Sequence, residues 1–320
     1  MKKKFLCTIL FVGFILSFTA CNPIDSTKKD ESSQIISSII ETSSNEISTE
    51  DDSVNTIIKK VKENMDSTKN YTAKMNVDMS IKMKVTSDDD STENFMSNCL
   101  DADVKTTEHA LHSNTKVTRI EDSNDPIVYE EEKYNDYQTN YSYIKSNTDE
   151  KWTKYKLENE QNIVDTSNLF SDINSFKDAT LEKTNTGYII TADLNNFKAF
   201  IDSISSDTTG AKVTGKLVIT TNTKYYPTRI EMKDIKFDTS EMEKTIKSYS
   251  SSEDNNSNAD LKIDINFNFK VDYTSWNHTS DLDTVPPSEI TSKAVESSNT
   301  SLPDIDFSNI ESSSTTSNNN

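Results

Sequence analysis

The sequence predicts an α+β domain: a large curled antiparallel sheet, a half-barrel, with helices covering its concave apolar face. Three observations lead to this class. Tyr71, Ala73, Met75, Val77, Met79, Ile81, Met83 and Val85 alternate with polar residues without a break. Leu261, Ile263, Ile265, Phe267, Phe269, Val271 and Tyr273 do the same near the other end of the chain. Ahead of the first run, Val54, Ile57, Ile58, Val61 and Met65 recur at helical spacing, with Ser53 or Asp52 as N-cap. Period-2 alternation means a strand that is apolar on one face and wet on the other. At ~3.3 Å per residue the first strand is about 50 Å long, a length that only a large curved sheet accommodates.

The remaining elements follow in order. The first helix ends around Ser67 to Asn70, and Asp88-Asp89-Asp90-Ser91 is the turn after the first long strand. Strands are expected at Cys99–Thr107, Thr115–Glu121, Ile127–Lys133, Asn140–Ser146 and Trp152–Leu157, with a short helix over Leu169–Phe176. Ala179–Lys183 and Tyr188–Asp193 flank Thr184-Asn185-Thr186-Gly187, a hairpin signal in which Gly supplies positive φ. Asn195 caps a helix that carries Phe197, Phe200, Ile201 and Ile204 on one face. Lys212–Thr221 and Arg229–Phe237 bracket a turn, with Pro227 at a strand start, where a lost donor matters least. Asp238–Asp260 reads as a polar insertion, a loose loop with one helical turn, and Val285–Ile290 as a closing extended segment.

Average composition gives a different impression. The 320 residues are 32% hydrophobic and 27% charged with a net charge of −19, a balance typical of disorder. The polar residues, however, are gathered in Asn22–Glu50, in Ser297–Asn320, in the insertion and on the outer faces of strands. The acidity argues against a nucleic-acid partner, whose phosphates would be repelled.

The N-terminus supplies an address. Lys2, Lys3 and Lys4 precede the apolar run Phe5–Phe18, too short for a comfortable transmembrane helix but suited to a signal-peptide core. Phe18-Thr19-Ala20-Cys21 follows and resembles the lipobox of bacterial lipoproteins, with Phe18 in place of the more usual Leu. That resemblance implies cleavage after residue 20, lipidation of Cys21 and a position on the outer side of the cell membrane. Removing three lysines and no acid takes the charge from −19 to −22, so the lipid must hold the chain to the membrane. Cys99 is then the one free thiol, and no intramolecular disulfide is possible. The expected organisation is signal 1–20, tether 21–51, domain 52–296 with its insertion at 238–260, and polar tail 297–320. A flexible tether of ~30 residues spans about 30 Å on average.

Several features together resemble the Gram-positive lipoproteins whose soluble part is similar to LolA and LppX. They are the sequence at Cys21, the helix at Val54–Met65, the long strand Tyr71–Val85, Lys151-Trp152-Thr153-Lys154-Tyr155, the stretch Thr220–Ile230 with Tyr226-Pro227, and Val285-Pro286-Pro287-Ser288-Glu289-Ile290. The resemblance covers roughly Asp52–Val295 and implies a half-open barrel with a helix-lined apolar cavity, in a group whose characterised members carry lipids or lipoproteins. The walls in this chain would be Met75, Val77, Met79, Ile81, Met83, Ile263, Ile265, Phe267 and Phe269.

The residues themselves leave two readings open. Met75, Met79 and Met83 suit a cavity for variable acyl chains, because Met is flexible and polarizable, and they equally suit plain core filling. The aromatics from Tyr129 to Tyr155 (Tyr134, Tyr137, Tyr141, Tyr143 and Trp152) can line a binding mouth or form ordinary cross-strand pairs. Cys99, Asp101 and Asp103 share a strand face with His109 and His112 downstream, but histidines three apart on one strand face opposite ways, so no metal site is expected. Asp254-x-Asn256-x-Asn258 imitates a calcium loop until Ala259 and Ile265 stand where Gly and Glu are needed. No Gly-x-Ser-x-Gly, P-loop, His-Glu-x-x-His or Gly-x-Gly-x-x-Gly occurs, and 4 glycines leave little room for phosphate-cradling loops. The sequence therefore reads as a non-enzymatic, cofactor-free lipoprotein that binds an apolar or amphipathic ligand. The rival reading is an envelope interaction module with a filled core and an acidic surface that meets a protein or wall partner.

Overall fold

A computed structural model describes residues 53–86, 91–122, 124–157, 166–170, 172–197, 212–251 and 260–297. Cys21, the tether, the polar tail and most of the helix expected after Asn195 lie outside these residues.

Helix α1 (Val54–Ser67) begins at Ser53, whose Oγ accepts a hydrogen bond from the Thr56 amide at 3.3 Å. Such a cap satisfies one of the helix's open donors and contributes about 1 kcal/mol. A first meander follows: β1 (Tyr71–Thr86), β2 (Ser91–Thr106), β3 (Ala110–Glu121), β4 (Ile127–Asp136), β5 (Tyr141–Ser146) and β6 (Thr153–Lys156). The second comprises β7 (Thr180–Thr184), β8 (Gly187–Asp193), β9 (Lys212–Asn222), β10 (Pro227–Asp238) and β11 (Asp260–Trp276). Helix α2 (Ser240–Ser251) lies between the last two, and α3 (Ser288–Lys293) precedes the short β12 (Val295–Glu296).

All twelve strands form one sheet, ordered β12-β6-β5-β4-β3-β2-β1-β11-β10-β9-β8-β7. It is curled but not closed, with β7 and β12 as its edges. Neighbours are antiparallel except β6 and β12. The two long alternating segments are the seam: β1 pairs with β11 from Tyr71↔Trp276 to Thr86↔Asp260, joining the two meanders. Because both strands bury the same face, a one-residue slip would turn every apolar residue to water, which fixes this register. The ladder shifts between Lys233 and Lys236, where Asp234 has φ 54° opposite Gly215 at φ 155°. Such bulges increase local twist and help a sheet to curl.

The inner face can be followed strand by strand. From Met75 the row runs to Val271, Ile230, Ile219, Ile190 and Leu181 through successive pairings. These residues, all but Leu181 buried, belong with Ile57, Ile58 and Val61 of α1 to one apolar cluster. Phe170 and Phe176, from the 3-10 turns Ser167–Phe170 and Ile173–Phe176, belong to it as well.

Five expectations need correction. Leu169–Phe176 is two 3-10 turns and not one helix, and of the helix expected from Asn195 the described part is the turn Leu194–Asn196. The described part of the polar insertion is largely helical, since α2 spans 12 residues and buries Met242 beside Leu261 and Ile263. The closing Val285–Ile290 is not extended throughout, because α3 begins at Ser288. Finally, β2 starts at Ser91 and β3 at Ala110, so both are longer than their polar sequences suggest.

Candidate functional site

All nine expected wall residues stand on one face of β1 and β11. Val77 pairs with Phe269, Met79 with Phe267, Ile81 with Ile265 and Met83 with Ile263. They do not form one wall, however. Met75, Val77, Met79, Phe267 and Phe269, at 5–9% exposure, belong to the main cluster together with Ile57, Ile58 and Val61 of α1. Ile263 joins a second cluster with Met242 and Leu261, against which Met83 and Ile265 are half-buried. Ile81 packs against both. The division falls where α2 lays Met242 over the far end of the long strands, a contact invisible while 238–260 reads as a loop.

Beyond β2 the same face changes character. From Met75 the row continues through Ala102 to Thr115, Glu131 and Ser146. The adjacent row runs from Ala73 through Val104 to Ser113, Lys133 and Ile144. Ser113, Thr115, Lys133, Ser142 and Ser146 are buried on this polar half. Burial pushes the Lys133 ammonium below its ordinary range, and the Glu131 carboxylate partly counteracts this. Burial likewise raises Glu131, against the opposing pull of Lys133 and of the Tyr129 hydroxyl, which donates to Glu131 Oε2 at 3.0 Å. The two ionisable groups thus push each other toward the charged state while burial pushes both toward neutrality. Sequence reasoning missed this region because β3 and β4 are polar on both faces, so no alternation marks the inner one.

The aromatic group from Tyr129 to Tyr155 is split between faces. Tyr134 pairs with Tyr143 on the opposite side of the sheet, where His112 stacks on Tyr134 at 4.2 Å and Trp152 lies 5.7 Å away. His112 Nε2 and the Tyr134 hydroxyl both reach Glu132 Oε1 at 3.1 Å. The C-terminal segment meets this face, with Thr284 fully buried and 3.3 Å from the Thr107 hydroxyl. Tyr129 and Tyr155 follow the inner rows through Val117 and Ser142.

Cys99, Asp101 and Asp103 share the outer face of β2, but each acid has a partner of its own. Lys74 Nζ pairs with Asp103 at 2.7 Å, and Asn76 Nδ2 donates to Asp101 Oδ1 at 3.0 Å. His109 sits in the turn before β3 and does not approach this set through the strand register. Burial, reinforced by Asp78 and Asp101, pushes the Cys99 thiol up to about 12. A thiol held protonated is a poor nucleophile, although each thiolate that forms is more reactive. Cys99 should therefore react with iodoacetamide at pH 8 roughly 30-fold more slowly than a small free thiol, and at the ordinary rate in denaturant. Equal rates in the folded and unfolded states would show that burial and the two aspartates do not hold the proton.

Compared with models of known families the chain matches none, and no curated protein aligns with it significantly. The fold therefore defines its class by geometry: a single large, mostly antiparallel, curled sheet whose inner face is apolar along β8–β11 and β1 and largely polar along β3–β5, where Leu111, Val117 and Ile144 interrupt the polar residues.

Proposed function

We propose that the protein is a lipoprotein anchored through Cys21 on the outer side of the cell membrane, with a half-barrel that binds an amphipathic ligand and performs no catalysis. The observation that carries this reading is the inner face itself. One continuous curved surface presents buried apolar residues around Met75, Val77 and Phe269 and, two strands away, buried polar residues around Ser113 and Lys133. An amphipathic molecule has the same division. In this reading α1 and the 3-10 turns act as a cover over the apolar half, contributing Ile57, Ile58, Val61, Leu169 and Phe170. The cover can admit a chain beside itself because flexible Met side chains repack at low cost. The resemblance to LolA- and LppX-like lipoproteins supports the same conclusion.

One observation favours the rival, an interaction module with a filled core: Met75, Val77 and Met79 are only 5–6% exposed. A single experiment separates the two. The full chain purified without detergent is expected to show a bound lipid in native mass spectrometry, or to take up diacylglycerol from vesicles. Ligand-free protein that takes up nothing would sink the carrier reading and leave the module. The Cys21→Ser variant is expected to leave the membrane fraction; its retention there would refute the anchor.

A further inference from the structure

We infer that the buried polar half of the inner face is a subsite for an uncharged, hydroxyl-bearing headgroup, such as a sugar or polyol, carried on the amphipathic ligand. The inference rests on the carrier reading for its apolar tail and on independent observations for its headgroup.

The first observation is a set of unsatisfied groups. Ser113, Thr115 and Ser142 are 1%, 6% and 0% exposed, and among the described residues their hydroxyl oxygens have no hydrogen-bond partner. A buried hydroxyl without a partner has lost its water and received nothing in exchange, so several on one face call for an explanation. The pairings place them together. Ser113 and Thr115 are next-but-one on β3, Ser113 faces Lys133 and Thr115 faces Glu131 on β4. Directly opposed residues stand about 5 Å apart at Cβ. Ser142 lies on β5 one row away, paired with the neighbour of Lys133 on that face, Asn135.

The second observation is the charge. Lys133 is 7% exposed, and the charge that acts on it is Glu131, two residues along the same face. The site therefore holds charges of both signs, Lys133 on one side and Glu131 with the nearby Asp149 on the other. An anionic headgroup placed at Lys133 would also meet Glu131, and a cationic one at Glu131 would meet Lys133. A hydroxyl group suits both, since it accepts from the ammonium, donates to the carboxylate and exchanges hydrogen bonds with Ser and Thr. The third observation is direction. Both polar rows run back through Ala102 and Val104 to Met75 and Ala73, so a headgroup held here leaves its tail lying along the apolar strands.

The test uses the full chain and four probes: glucosyl-diacylglycerol, diacylglycerol and phosphatidic acid with identical acyl chains, and free glucose. Affinities are measured by native mass spectrometry and checked by competition in solution. The glycolipid is expected to bind roughly tenfold or more tightly than either other lipid, because a site built to bond several hydroxyls discriminates against diacylglycerol, which offers one, and against phosphatidic acid, which offers an anion in their place. The double variant Ser113→Ala/Ser142→Ala should lose that preference, keep its affinity for diacylglycerol and melt no lower than the parent, since it removes only unbonded hydroxyls. Equal binding of all three lipids, or a preference that survives the variant, would mean that the hydroxyls serve water alone, overturning the subsite while the carrier reading stands. Preference for phosphatidic acid would overturn it in favour of an anion site. Binding of free glucose as tight as the glycolipid would support the subsite and remove the lipid tail from the picture. Failure of every probe to bind would overturn both readings.

Discussion

Phe176→Ala is expected to lower the unfolding free energy by about 3–5 kcal/mol, read as a shift in the urea midpoint at unchanged slope. Phe176 is fully buried although it sits in a four-residue 3-10 turn. Its ring lies parallel to that of Phe170 at 6.1 Å and edge-on to Phe197 at 4.9 Å. Three rings from three short connections thereby meet the cluster that also contains Ile57 and Val61 of α1. Strands hold the backbone around β1 in place through ladder bonds, but these connections have little regular hydrogen bonding, so side-chain burial must position them. Truncation removes a large apolar volume where the surrounding sheet cannot collapse, and the cavity adds to the lost transfer energy. The contrast is Leu282→Ala: at 94% exposure that side chain should change stability by less than about 0.5 kcal/mol. A loss below about 1 kcal/mol for Phe176→Ala would show that the turns rest on the sheet without wedging into it.

What the sequence made legible follows from how strictly a segment alternates. β1 and β11 each keep one apolar face for seven or eight successive pairs, so their existence, length and buried face could be read directly. Their direct pairing could not, because it joins residues nearly 200 positions apart and no local signal encodes that choice. Ser91–Asn98 does not read as part of β2 because Thr92, Asn94 and Asn98 stand where its inner face would be apolar, yet pairing with β1 along its full length holds it extended. Helix α2 was hidden by average polarity, although Ser240-Glu241-Met242-Glu243 has the Ser-x-x-Glu form of a helix start. Glu243 ties it down from within, accepting from the Ile263 amide at 3.0 Å and from the Thr239 hydroxyl at 3.1 Å. The apolar half of the candidate site was therefore foreseeable as residues and not as two clusters. The polar half was not foreseeable at all, because in sequence nothing distinguishes Ser113 and Thr115 from a solvated Ser or Thr. Only the pairing with Lys133 and Glu131 turns them inward together.

The largest expected effect comes from a residue with no side chain. Gly187→Ala should destabilise the protein by more than about 3 kcal/mol, or prevent folding at physiological temperature. Gly187 opens β8 after the two-residue turn Asn185-Thr186 and pairs with Asn222 at the end of β9. Its φ of 151° is a conformation that L side chains rarely adopt. The reason for glycine here is also one of space. A Cβ would stand 1.9 Å from the carbonyl oxygen of Thr221 and 2.6 Å from the carbonyl carbon of Asn222, both backbone atoms held in the ladder. Neither can yield unless β8 moves away from β9, and that motion would pull Tyr188 from its stacking on Tyr225 at 5.6 Å and open the row at Ile190. Gly215→Ala is the informative comparison. Its φ of 155° imposes similar backbone strain, but the nearest atom to an added Cβ is the Ile235 Cδ1 at 2.8 Å, the mobile end of a side chain. The loss there should be smaller, roughly 1–3 kcal/mol. If the two variants unfold at the same urea concentration, backbone strain alone sets the cost and the close approach of β8 to β9 contributes nothing. If Gly187→Ala is much the worse, the closeness of that pairing is what makes glycine necessary.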